Sequence, residues 1–252
     1  MTAGALKDSF SPKSRLGVIF LLVLASFALP HIPLLNLLAM PIQSFTTLIH
    51  ELGHAVTCLL TGGQVSGISI ISDGEGHGGL TYCRGGIPFI YSQAGYIATA
   101  LAGCAMIWVG HYPKLSRPVL MAMGVGFGLV SFTFLASTIL QGQIVAGLGS
   151  MAVGLAMGAG LFWIGWKSNF YWANLVLLFL GVQTGLNALN DDAILFFAPA
   201  GTWSDATNMA EMTMIPAGVW AVTWTLISVG LMFLTFRLCY EQDKKRKAIN
   251  TI

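Results

Sequence analysis

The chain has 252 residues, 55% of them hydrophobic and only 9% charged, with a net charge of +2. An ordinary soluble domain carries about 25% charged residues, so this composition excludes a soluble globule. The basic residues gather toward the two ends of the chain instead of forming one stripe, which gives no footprint for a nucleic-acid partner.

Residues 1–15 form an N-terminal tail in which Lys7, Lys13 and Arg15 precede the apolar run Leu16 to Leu29. Positive charge before an apolar run imitates a signal peptide, and Ser26-Phe27-Ala28 imitates its cleavage site. Pro30 and Pro33 follow closely, however, and the apolar pattern resumes from Leu34 to Met40. The segment therefore reads as an uncleaved first membrane helix, kinked or broken at the prolines.

The next apolar stretch, Pro41 to Leu60, contains His50-Glu51-Leu52-Gly53-His54. A helix sets residues four apart on one face, so His50 and His54 offer two imidazoles to one metal while Glu51 stands beside them as a base. HExxH also arises by chance on soluble helices, where it is only a solvated face. In lipid, two His and a Glu among Leu, Ile, Thr and Val are costly unless paired or functional, and this context favours the metal.

Residues 62–86 are Gly-rich and carry Val65, Ile68, Ile70 and Ile71 before the turn Ser72 to Gly79, with Leu80-Thr81-Tyr82 as the return. This pattern predicts a β-hairpin at the membrane face. Such a hairpin either caps the bundle or holds an unwound substrate segment by strand addition. His77, in a Gly-flanked turn, is assigned to solvent in preference to a metal.

A membrane span needs about 20 apolar residues. Candidates are Pro88 to Val109, Val119 to Ser137, Val145 to Trp166, Tyr171 to Leu189 and Ile215 to Leu238, which with the first segment and the motif helix make seven. The expected fold is an all-α polytopic membrane protein, one domain over 1–252, with a bundle of about 6–7 transmembrane helices and the small hairpin after the HExxH helix. Residues 239–252 form a basic C-terminal tail with Lys244, Lys245, Arg246 and Lys247. Placing both basic tails in the cytoplasm requires an even number of crossings, so that the first segment or the motif helix is re-entrant. With seven full crossings, Lys114, Arg117 and Lys167 side with the C-terminus. Gly154 and Gly158 form a small-xxx-small pair suited to tight packing within the chain. Cys58, Cys83, Cys104 and Cys239 are far apart in sequence, show neither a CxxC pair nor a disulfide framework, and are expected to pack as small apolar residues.

A zinc site needs a third protein ligand, and no carboxylate occurs between Glu75 and Asp191. Gln183, Asn187 and Asp191 lie within about 80° on one helix face, a polar stripe that should face the bundle interior. Asp191 is thus the expected third ligand, with Asp192 as its substitute if the helix ends early. Asn187, on the same stripe, is a candidate donor to the oxyanion or the substrate, or else a packed amide. Ser204 has the character of an N-cap, which places Asp205 in a first helical turn where the helix dipole favours it. Asp205 and Glu211 complete the set of downstream candidate carboxylates, and the alternative for Asp205 is a role at the metal mouth, where it could complete the zinc site in place of Asp191, or in substrate entry.

These residues resemble the site-2-protease-like intramembrane zinc metallopeptidases. The likeness rests on the HExxH segment, on Thr61-Gly62-Gly63-Gln64-Val65 with its hairpin, on Ala94-Gly95-Tyr96, and on the stretch Asn187 to Asp191. Ser204-Asp205-Ala206 and the Pro216 to Trp220 helix start resemble a bacterial subgroup, here without a PDZ-like insertion. The family's Asn-Pro-x-x-Asp-Gly signature corresponds to Leu186 to Asp192, without the proline and glycine. The resemblance implies a Zn2+ endopeptidase with Glu51 as catalytic base and His50, His54 and Asp191 as ligands. It implies transmembrane protein substrates, contact with the lipid bilayer, and a multi-pass place in a bacterial cytoplasmic membrane. A transporter or a non-proteolytic metal-binding or client-binding scaffold is the competing class, because intramembrane acids and broken helices serve those too.

Overall fold

A computed structural model of the protein describes residues 36–71, 78–196 and 204–249, together with a few isolated positions nearer the N-terminus. The expected first span therefore lies outside the described residues, as does His77.

The motif helix α1 runs Asn36–Leu60 and is followed by strands β1 (Gln64–Ser69) and β2 (Leu80–Arg84). The strands pair antiparallel with Ile68 opposite Thr81, and a bulge lies between Val65 and Gly67. Gly62, at φ 85°, takes the left-handed conformation that lets the chain turn from α1 into β1. The expected hairpin is present.

Helix α2 (Pro88–Gly110) begins with proline at its first turn, where the missing N–H leaves no bond unmade. Helix α3 (Pro113–Val130) begins the same way and continues through a π-wound turn, Ser131–Leu135, and a 3-10 turn, Ala136–Gln141. The change of winding turns Thr138 toward the hairpin, where its hydroxyl donates to Ile68 O at 2.7 Å. Helices α4 (Ile144–Lys167), α5 (Phe170–Phe196), the short α6 (Asp205–Thr213) and α7 (Ala217–Ile249) complete the chain.

Helix α2 is central, packed against α1, α5 and α7, while α3 and α4 form a closely joined pair. Glycine makes these approaches possible: a Cβ on Gly124 would stand 2.6 Å from Gly158 O, and one on Gly53 would stand 2.6 Å from Ala94 O. Gly154 and Gly158 are thus used within the chain. Large apolar side chains such as Phe132, Trp163, Leu226 and Phe233 stand exposed on the outside, whereas Asn174, Gln183 and Thr184 are buried inside. That inversion suits a lipid surround. Among the described residues four helical segments are long and apolar enough to cross a membrane: Pro88–Gly110, Pro113–Gln141, Ile144–Lys167 and Ala217–Gln242.

One expectation is corrected. Cys58 and Cys83 are joined in a disulfide, with Cα atoms 6.3 Å apart, and so are not separate packing residues. The 25-residue separation hides the pair in sequence. It forms because the last turns of α1 lie against β2.

Candidate metal and catalytic site

The HExxH spacing places His50 and His54 one turn apart on α1, with ring centroids 4.7 Å apart. Their Nε2 atoms are 3.0 Å from each other. Asp205 Oδ2 completes the triangle, 3.0 Å from His50 Nε2 and 3.1 Å from His54 Nε2. The three ligand atoms form the one group among the described residues positioned to hold a metal ion.

Several neighbours fix these rings. His54 Nδ1 lies 2.6 Å from Tyr91 O. An imidazole nitrogen facing a carbonyl carries the proton, which leaves Nε2 with its lone pair toward Asp205. His50 meets the edge of Tyr96 at 4.7 Å, and Tyr96 stacks on Trp224 of α7 at 4.8 Å. Gly95 sits directly over the pair: a Cβ there would stand 2.5 Å from His54 Nε2 and closer still to His50 Nε2. Only a residue without a side chain lets α2 lie this near the ligands.

Asp205 reaches the site from the start of α6. Ser204 is the N-cap, its side chain accepting from Thr207 N while Thr207 Oγ1 accepts from Ser204 N, so the expected helix start is correct. Ala206 and Met209 bury against Tyr96 and Trp224, which seats α6 with Asp205 aimed at the histidines. Burial raises the Asp205 carboxyl, but when His54 and His50 are protonated they outweigh that and hold it below the usual carboxylate range.

Glu51 is 5% exposed and its carboxylate is held by the hairpin. Thr81 Oγ1 stands 2.6 Å from Glu51 Oε2 and 3.0 Å from Glu51 O. Gly79 leaves Oε1 uncovered, since a Cβ there would stand 2.6 Å away. Thr81 and Gly79 carry no motif signal in sequence. Their role follows only from the register of β2 against α1.

Asp191, the expected third ligand, lies on the last turns of α5, which continues to Phe196; its side chain and that of Asp192 lie outside the described residues. The carboxylate that meets the histidines here is Asp205, 155 residues from His50. Helical periodicity ties Asp191 to Asn187 but says nothing about a residue beyond a loop, which is why the sequence favoured Asp191 and left Asp205 as an alternative. Asn187 donates from Nδ2 to Thr46 Oγ1 at 3.2 Å and lines the same cavity as His50, Glu51 and His54. That cavity, about 890 Å³, also reaches Glu211.

Two imidazole nitrogens and a carboxylate oxygen converging at 3.0–3.1 Å bring lone pairs together, an arrangement that favours a cation between them. A family model described as Peptidase M50B-like matches residues 18–235. Neither a curated protein nor a solved structure matches the chain. With the match covering most of the chain, and with an HExxH pair set in a bundle of apolar helices, this protein belongs to the Peptidase M50B-like family, a site-2-protease family of membrane metallopeptidases.

Proposed function

We propose that the chain is an intramembrane zinc metalloendopeptidase that hydrolyses peptide bonds in or near transmembrane segments of membrane proteins. The observation that carries this reading is the meeting of His50, His54 and Asp205 beside an oriented Glu51 in one cavity. Ligands of a tetrahedral zinc with bonds of about 2.0–2.1 Å stand about 3.3–3.4 Å apart, a few tenths wider than this triangle. His50, His54 and Asp205 would hold the ion, with Asp205 in the place that sequence reasoning gave to Asp191. When bound, zinc supplies Lewis acidity that lowers the pKa of a coordinated water toward about 7.

The residues divide the remaining work. Thr81 holds Glu51 Oε2 and leaves Oε1 toward the cavity, where Glu51 takes a proton from water and later returns it to the leaving amine. The His54 contact with Tyr91 O keeps the imidazole in its ligating tautomer. Asn187, which lines the cavity, would donate to a substrate carbonyl or to the developing oxyanion. A membrane helix has its backbone carbonyls hydrogen-bonded, so a substrate must present a locally opened segment, near a Gly, Pro or Asn.

The test uses purified protein in lipid nanodiscs and a membrane peptide with a central Gly-Pro. Wild type should bind one zinc and cut the peptide, while Glu51→Gln should retain zinc and lose cutting. A transporter or scaffold would be indifferent to Glu51, so equal cutting by both proteins refutes the proposal.

A further inference from the structure

Helix α6 supplies more of the cavity than the carboxylate at its start. Asp205, Asn208, Glu211 and Met212 all line it. At about 100° per residue these four positions fall within a sector of about 120°, so one face of α6 forms a wall that begins at the histidines.

The described residues of the cavity lining include three carboxylates, on Glu51, Asp205 and Glu211, and neither a lysine nor an arginine. Two of the three are engaged. Thr81 holds Glu51, and Asp205 lies against His50 and His54. Glu211 has no hydrogen-bond or ion-pair partner among the described residues. On a soluble surface an unpaired carboxylate means little, because water satisfies it. In this chain only 9% of residues are charged, and the residues exposed just after Glu211 are apolar: Met212, Met214 and Ile215.

The cavity wall therefore sets one negative charge beside the flexible apolar side chain of Met212. A Lys or Arg side chain has the complementary make-up, with a methylene stem for the apolar surface and a charged head for the carboxylate. Low-dielectric walls also focus the field of a carboxylate inside a cleft, which attracts a cation and repels another acid.

We propose that Glu211 is a specificity-determining residue that receives a Lys or Arg side chain of the substrate. Resting on the proteolytic reading, the substrate class narrows to membrane proteins with a basic residue close to the cleaved bond. Glu211 lies six residues beyond Asp205, a helix rise of about 9 Å. An extended segment advances about 3.3 Å per residue, so that rise matches about three residues of substrate. The basic residue thus belongs about two to four positions from the bond that meets Glu51. Membrane segments commonly carry Lys or Arg at a border, and such a border would lie beside the cut.

The test uses the full chain in nanodiscs and Gly-Pro membrane peptides in which one residue, second to fourth on either side of the Gly-Pro, is Lys, Ala or Glu. At the preferred position Lys should exceed Ala in kcat/KM by about fivefold, the upper end for a solvent-accessible ion pair, and Glu should fall below Ala. The preference should shrink at high salt. Glu211→Gln should bring the three peptides within twofold of one another, and Glu211→Lys should reverse their order, which loss of structure could not do. A Lys preference undiminished in Glu211→Gln overturns the assignment, as does cutting by wild type without preference. Binding of the same peptides to zinc-loaded Glu51→Gln, read by fluorescence anisotropy with and without Glu211→Gln, needs no cutting. Tighter binding of the Lys peptide that is lost with Glu211→Gln, when wild type cuts none of the peptides, overturns the proteolytic reading and leaves the Glu211 subsite standing. Equal or undetectable binding of all three overturns the subsite.

Discussion

Gly95→Ala adds one methyl group to the tightest approach in the site. Its Cβ would stand 2.5 Å from His54 Nε2 and nearer to His50 Nε2, whereas ordinary contact begins at 3.4 Å, so relief needs a shift of about 0.9 Å. Metal sites tolerate ligand displacements of about 0.2 Å. The shift is several times larger and moves both histidines away from Asp205, so zinc affinity should fall at least 100-fold, about 2.7 kcal/mol. The helix itself should not suffer, because Ala is favoured over Gly in a helix interior by about 1 kcal/mol. The assay is a zinc titration against a competing chelator, with circular dichroism to show that the helices persist. Gly160→Ala, where the added Cβ meets nothing within 4 Å, serves as the control and should leave affinity unchanged. Wild-type zinc affinity in Gly95→Ala would refute the placement of the metal between His50 and His54.

Four other outcomes follow from the same geometry. Asp205→Ala should lose stoichiometric zinc by elemental analysis while Asp191→Ala retains it; the opposite result returns the third ligand to α5. Glu51→Gln should keep zinc but lower kcat about 10²–10⁴-fold, the usual span for a general base, as measured on the Gly-Pro peptide. Thr81→Val should lower kcat about tenfold with KM and zinc content unchanged, and Thr81→Ser, which restores the donor, should recover it. Cys58→Ser should destabilise the hairpin against α1 by up to about 3.5 kcal/mol, the chain-entropy value for a loop of this length. Limited proteolysis between β1 and β2, slower in wild type than in the variant, would report it.

The sequence carried the helical bundle, the hairpin and two of the three candidate ligands because each rests on a local period. His50 and His54 repeat at the helical interval, and Ile68 and Ile70 alternate as a strand should. Ser204 announces a helix start by its residue type, and the structure uses it so. Contacts between elements were illegible. Asp205 meets His50 across 155 residues, and neither the length nor the path of the connection from α5 is encoded in a period. The Cys58–Cys83 pair was missed for the same reason, since its partners belong to a helix and a strand with different repeats. Gly95 was visible only through family resemblance, and its physical cause, the room needed by two imidazoles, appears once α2 is laid across α1.

The hairpin grips the motif helix at two points whose spacings belong to different arithmetic. Along β2, Thr81 and Cys83 are two residues apart and so share one face of the strand. Along α1, their partners Glu51 and Cys58 are seven apart, two helical turns, and so share one face of the helix. The two periods coincide only in this register. A single residue inserted between Thr81 and Cys83 would turn one of them outward, so that the covalent bond and the Glu51 hydrogen bond could no longer form together. Position and rotation of the strand are thus locked at once, much as two pins of unequal pitch index a dial. Glu51, the proposed base, is thus aligned by a seam held by a covalent bond at one end and by its own hydrogen bond at the other.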